Sequence, residues 1–356
     1  MGYICFFNTA KAWGGGEKWH LETSLFLHEN GHKVIVVAHK NGALFEKLKK
    51  AEIPVIGVKL SNLSFLNPIT HFNLLRALKK YEIETIVMNL SRDVKIAGIC
   101  AKQLGFKRII YRRGSAIPIK NSVLNRYYFG HVITEVLANS YATKQTVLAK
   151  NKDLFPEDKI KVIYNGIDIS NLPPLAKKSR EFTLLNLGRL EAQKNQFFLI
   201  ELAKELKKRN YPIKIVIGGD GRLKEALQQK ITELQVDDIV KLAGFIEHPL
   251  EFITTADVFV LPSLWEGFGY VLAEAALCKK PIIAFDISSN PELVIQGQSG
   301  FLVKTGNIVE FANAVEKLYH DPELIKTMGE QGFTHIKKNF DKTENLKKIE
   351  TYLTHG

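Results

Sequence analysis

A chain of 356 residues with 46% hydrophobic and 24% charged residues is long for one α/β domain, comfortable for two, and too apolar to stay disordered. No run of about 18 apolar residues occurs, and the opening run Tyr3 to Phe7 is too short for a secretion signal, so a cytoplasmic protein is expected. The net charge of +12 is unevenly placed: residues 1–172 carry 25 Lys and Arg against 13 Asp and Glu, whereas residues 173–356 carry 24 of each. A basic half attracts phosphates, anionic lipid head groups or nucleic acid. The three cysteines, Cys5, Cys100 and Cys278, sit far apart in apolar settings and read as core thiols of a reducing compartment.

In chain order, Gly2–Phe7, Val34–Ala38, Val55–Val58, Thr85–Met88, Arg108–Tyr111 and Val136–Asn139 read as short buried strands. Amphipathic stretches at 17–30, 71–81 and 95–104 lie between them. Past Ser170–Pro174, whose paired prolines end any helix or central strand, the alternation restarts. Phe182–Leu187, Ile213–Ile217, Val240–Ala243, Val258–Leu261 and Pro281–Ala284 read as strands, with helical patterns at 197–209, 223–234, 270–277 and 308–319. Strands apolar throughout, alternating with helices, require a parallel sheet covered on both faces. Two such series predict two doubly wound α/β domains: residues 1–170, residues 171–335, and a Lys-rich C-terminal helical stretch, 336–356, packing back toward the first domain.

The strongest local signal is the segment Pro262 to Glu274, which leaves a predicted strand and opens a helix. Gly267 and Gly269 let backbone approach a ligand, and the helix start directs unbonded N–H groups at an anion or at sugar hydroxyls. Glu266 lies in the loop and Glu274 eight residues on, so the two carboxylates can touch different parts of one elongated ligand; the apolar residues around Glu274 predict its burial. Trp13-Gly14-Gly15-Gly16-Glu17 makes a similar strand-to-helix turn in the first half, although any tight turn of that kind would use glycine. No Asp-x-Asp motif occurs and the ten histidines show no ligand pairing, so no metal is expected. No nucleic-acid motif or basic–aromatic interleaving occurs, so no nucleic-acid partner is expected.

The Glu-x7-Glu pair of Glu266 and Glu274 resembles the retaining, GT-B-fold glycosyltransferases of family GT4. Asn186–Asn195 is similar to that family's strand-end "GRL…KN" segment, Ile217–Gly221 to its glycine turn, Val162–Asp168 to the segment closing its first domain, and Pro291–Val303 to its "PE(I/L)V…GxLV" stretch. The resemblance covers nearly the whole chain. It implies GT-B architecture, two Rossmann-like domains facing a cleft, the second binding a nucleotide diphosphate sugar. It implies that Arg189 and Lys194 hold the donor diphosphate, that Glu266 with Gly267, Phe268 and Gly269 contacts the transferred sugar, and that Glu274 accepts from the ribose. Gly188 and Gly219 line the donor turns, the backbone at Phe245 and Ile246 reads the base, and Gly15 and Gly16 admit phosphate or the reacting sugar. The expected reaction is retaining and metal-independent, with the nucleotide sugar as co-substrate and no cofactor.

Where many members of that family carry a histidine after the fifth strand, this chain has Arg112-Arg113. Two guanidiniums there suggest an anionic acceptor, a glycan or lipid-linked species of the lipopolysaccharide type; a solvated charged loop is the other reading. Asp93, after another strand, is a candidate base for the acceptor. With the basic first half, this implies peripheral contact with the inner face of the membrane. A sugar-nucleotide epimerase or phosphorylase of the same fold, or a non-catalytic nucleotide-sugar-binding protein, is the alternative function.

Overall fold

The computed structural model describes residues 2–170, 172–174 and 181–355. Asn171, within the expected domain break, lies outside the described residues. The chain forms two compact units, residues 1–165 with 343–356, and residues 166–342.

The first unit holds strands β1 (Tyr3–Asn8), β2 (Val34–His39), β3 (Val55–Val58), β4 (Ile83–Met88), β5 (Arg108–Arg113), β6 (Glu135–Ala138) and β7 (Ile160–Val162). They pair in parallel in the order β3-β2-β1-β4-β5-β6-β7. The second unit holds β8 (Phe182–Leu187), β9 (Ile213–Gly218), β10 (Val240–Gly244), β11 (Val258–Leu261), β12 (Ile282–Phe285) and β13 (Gly300–Val303), also parallel, in the order β10-β9-β8-β11-β12-β13. Both orders reverse direction at one place, between β1 and β4 and between β8 and β11. Loops leaving those strands diverge to opposite faces and open a crevice at the strands' carboxyl ends.

Strands such as Val34-Ile35-Val36-Val37-Ala38 are buried on both faces because helices cover each side. Ile35 and Val37 join one core with Leu74 and Leu78, while Val34 and Val36 join another with Trp19 and Leu27. The C-terminal helix Lys342–His355 buries Ile349 and Leu353 in that second core. It is tied there by Arg108, which donates to the Tyr352 carbonyl at 2.6 Å, and by the Tyr352 hydroxyl, which donates to Glu135 at 2.7 Å.

Two strands, β7 and β13, lie outside the expected set. Both are short edge strands: Lys161 interrupts the apolar pattern of β7, and β13 holds only Phe301, Leu302 and Val303 after Gly300. The helix expected at 71–81 starts earlier, at Pro68, because the Asn67 side chain accepts from the Ile69 and Thr70 amides and Pro68 suits the first helical position. Cys5, Cys100 and Cys278 are buried free thiols, as their settings predict.

Candidate functional site

In the second unit, the turns leaving β8, β9, β10 and β11 are joined into one platform. The Gly188 amide donates to Gly218 at 3.0 Å and the Gly219 amide donates to Gly244 at 2.7 Å. Gly219 has φ +132°, and a side chain there would run into the Gly188 carbonyl oxygen. This contact therefore requires glycine on both counts. Ile246 packs on Gly218, while Phe245 is 78% exposed beside them.

The turn after β8 is stitched to the loop after β11, across the switch point. Leu264 donates its amide to the Gln193 carbonyl at 2.8 Å, the Gln193 side chain donates to the Trp265 carbonyl at 2.8 Å, and Asn195, left-handed at φ +52°, donates to Pro262 at 3.2 Å. On this frame Lys194 and Glu266 meet, Nζ to Oε1 at 2.6 Å, with side chains only 15% and 7% exposed. The Lys194 stem lies across Gly188, whose missing side chain leaves it room. Lys194, which the resemblance offers as a phosphate ligand, is thus already paired with the carboxylate assigned to the sugar. Arg189, at the same strand end, is exposed and forms no ion pair among the described residues.

Beyond Glu266, Phe268 is buried and Gly269, at φ +81°, caps the helix Tyr270–Leu277. Glu274 lies in that helix and is half-buried, not enclosed. The sequence argument for its burial fails on helical period. Leu272, Ala273, Ala275, Ala276 and Leu277 turn to the core, and Glu274 shares with Val271, three residues earlier, the face at the core's edge. The second unit therefore brings Gly188, Arg189, Lys194, Gly219, Glu266, Gly267 and Gly269 to one carboxyl-end surface, with Phe245 and Ile246 on its β10 side.

The first unit treats its candidate residues differently. Asp93 is fully buried and accepts from the Thr9 hydroxyl, from the Thr9 amide at 3.3 Å and from the Leu90 amide at 3.3 Å. Burial raises its carboxyl to about 7, opposed by these bonds and by Arg92. It ties the loop after β1 to the loop after β4, and its oxygens are occupied by the chain. Gly15 opens the helix Gly15–Glu29 and is exposed, but Gly16 is pressed against the Asn89 side chain, so its bareness serves internal packing.

Arg112 is 2% exposed. It donates to the Asn89 side-chain Oδ1 at 3.0 Å and to the Asn165 Oδ1 at 2.8 Å, and its guanidinium lies 4.6 Å from the centre of the Trp19 ring. Burial, and then the Arg112 charge, pushes the neighbouring His20 imidazole down to about 3. Arg113 donates to the Tyr111 hydroxyl and to the Ser115 and Ile117 carbonyls. Both guanidiniums expected to meet an acceptor are engaged inside the first unit.

The sequence reading passed over His39, buried at the end of β2, with Lys11, Lys40, Lys59 and Arg92 around it. The available signal was positional: each cation follows a different strand of the same sheet edge.

Two α/β units of this order, one with a glycine platform and a Lys–Glu pair at its switch point, define a GT-B protein. Solved structures agree at the level of fold. The Anabaena protein Alr3699/HepE in complex with UDP and glucose superposes with TM-score 0.82 at 22% identity over the whole of both chains. A Rickettsia africae glycosyltransferase gives 0.86 at 23% identity, over 98% of this chain and 97% of that one. The model of the glycosyl transferases group 1 matches residues 170–335, and that of glycosyltransferase family 4 matches residues 13–171. The chain belongs to this glycosyltransferase family. Among curated relatives, an Escherichia coli UDP-Gal:alpha-D-GlcNAc-diphosphoundecaprenol alpha-1,3-galactosyltransferase is 31% identical over 56% of this chain and 55% of its own. A Campylobacter jejuni N-acetylgalactosaminyltransferase acting on N-acetylgalactosamine-N,N'-diacetylbacillosaminyl-diphospho-undecaprenol is 29% identical over 65% of this chain and 64% of its own. The matched regions span from 39% to 67% of the lengths of the first five such relatives.

Proposed function

We propose that this chain is a retaining, metal-independent glycosyltransferase that moves a sugar from a nucleotide diphosphate sugar to a glycan or lipid-linked acceptor. The observation that carries the reading is the Lys194–Glu266 pair, held over Gly188 at the switch point beside the unpaired Arg189. A donor diphosphate on this surface meets two cations and the glycine turn that opens the helix Tyr270–Leu277. Both stabilise the charge that grows on the leaving group. Glu266 then exchanges part of its bond to Lys194 for a hydroxyl of the sugar, and Glu274 accepts from the ribose. The bond between the anomeric carbon and the diphosphate oxygen breaks, a new bond forms to the acceptor oxygen on the same face, and the acceptor's proton passes to the departing diphosphate. The UDP complex of the Anabaena protein and the diphosphoundecaprenol acceptors named for the two relatives support a nucleotide donor and a lipid-linked acceptor.

Peripheral membrane contact belongs to the same reading, at the inner leaflet. It is supported by the charge excess of residues 1–172 and by Leu63, Leu66, Ile69 and Phe72, each more than 60% exposed along one segment of the first unit. Val123 and Tyr127 are exposed on the helix Val123–His131, whose Tyr128 donates to the Lys95 carbonyl, and Lys95 covers the Phe65 ring. Exposed apolar side chains interleaved with cations suit a headgroup boundary. No helix among the described residues is long and apolar enough to cross a membrane.

The test is transfer from a panel of nucleotide sugars to polyprenyl-diphosphate-linked sugars, with Glu266→Gln as the variant, since glutamine can still accept from Lys194. Transfer by the unaltered chain, lowered about 10²-fold or more in the variant with nucleotide diphosphate still bound, is expected. Equal turnover in both would remove Glu266 from the chemistry. Activity lost to EDTA and restored by Mn²⁺ would overturn metal independence.

A further inference from the structure

Four adjacent strands of the first unit, β3, β2, β1 and β4, each release a cation at the carboxyl edge: Lys59, Lys40, Lys11 and Arg92. The chain fixes their neighbourhood. Lys40 donates its amide to Val58 at 2.9 Å, its stem lies against Gly57, and the Ala43 amide bonds the Lys11 carbonyl at 3.3 Å. At the centre stands His39, 4% exposed. Its Nδ1 accepts the Asn41 amide at 3.2 Å, so the proton sits on Nε2, which is left as a donor. Burial first, then the charges of Lys11, Arg92, Lys59 and Lys40, push the imidazole below its ordinary range, which favours the neutral ring. Arg92 is engaged with Thr9. Lys11, Lys40 and Lys59 are exposed and form no ion pair among the described residues.

Three exposed lysines released at adjacent strand ends beside a buried imidazole donor, none of them in an ion pair among the described residues, make a basic site suited to an anion. We propose that Lys11, Lys40, Lys59 and the Nε2–H of His39 bind a phosphate or diphosphate group of the acceptor. Arg112 and Arg113 are spent inside the unit and do not fill that role. The proposal rests on the transferase reading for the word acceptor, but the anion site stands on the first unit alone. Lysines act as point charges and do not require the fork geometry of guanidinium, so the site suits a phosphate approached from several directions better than a planar carboxylate.

The experiment follows the His39 imidazole signals by NMR in the full chain, assigned with His39→Gln, during titration with inorganic pyrophosphate. A saturable shift is expected, with affinity falling about tenfold or more in Lys40→Gln/Lys59→Gln. A second arm replaces pyrophosphate with phosphatidylcholine vesicles containing phosphatidic acid. A shift with pyrophosphate and none with vesicles assigns the site to a phosphate that reaches it free of the bilayer, and shifts with both admit a headgroup. His39 signals indifferent to pyrophosphate, or an unchanged titration in the double variant, overturn the proposal. Sugar transfer measured in parallel keeps the two readings apart. A chain that transfers sugar while His39 ignores pyrophosphate loses only the anion site.

Discussion

The two switch points occupy the same topological place and are built from opposite chemistry. Between β8 and β11, a lysine and a glutamate pair near the surface over a glycine, and the surrounding turns are joined through backbone and amide side chains. Between β1 and β4, a threonine and an aspartate join the loops, with the carboxyl fully enclosed and raised to about 7. Burial decides the difference. Asp93, fully enclosed, shifts its protonation and serves as a structural link, whereas Glu266 is held by a lysine from which a ligand can draw it. The same contrast divides the arginines: Arg189 is exposed and unpaired, and Arg112 holds two asparagines and a tryptophan in the core.

Exchanging the two arginines for alanine tests that contrast most severely. Arg112→Ala strands two asparagine oxygens and empties a core position, so urea unfolding should show a loss of about 3 kcal/mol or more. Arg189→Ala should change stability by less than about 0.5 kcal/mol, while lowering transfer about 10²-fold. Matching stability losses in the two variants would erase the distinction drawn between the units. A smaller effect is expected at Glu274, where Glu274→Gln should weaken nucleotide diphosphate by about 1–3 kcal/mol in calorimetry, the size of one charged hydrogen bond. An unaltered titration would place the ribose elsewhere.

The smallest effect lies in pH dependence and belongs to the first unit. Asp93 binds its proton more tightly folded than unfolded, so its contribution is present below about pH 4 and is lost as pH rises through about 7. His20, lowered to about 3, acts in the other direction: its contribution is present above about 6.5 and is lost as pH falls. The two oppose each other between about pH 4 and 6.5. Asp93→Asn removes one arm, so stability should rise with pH more steeply than in the unaltered chain, by up to about 1.4 kcal/mol per pH unit. Identical slopes would mean that Asp93 titrates in the folded protein as it does in the unfolded one.

Much of this was legible in the chain itself. Val34–Ala38 and Val258–Leu261 are apolar at every position, which only a parallel sheet covered on both faces accommodates, and that pattern repeated twice determined two doubly wound domains. The glycines after β8, β9 and β11 marked where backbone must come close, and the turns fall there. Local pattern did not mark β7 or β13, because runs of three and four residues, the first broken by Lys161, are too short to stand out from a loop. Nor could it tell Arg112 from Arg189. Both are arginines at a strand's carboxyl end, Arg112 inside β5 and Arg189 just past β8, and the fate of Arg112 depends on Asn89, Asn165 and Trp19, which are distant from it in sequence and meet it only when the sheet from β1 to β7 assembles. Lys11, Lys40 and Lys59 likewise look like scattered surface charges until the strand order β3-β2-β1 sets them side by side around His39. Periodicity is a property of neighbours along the chain, and it determined the fold. Desolvation and charge pairing are properties of neighbours in space, and only the tertiary structure decided which polar residues are free to act.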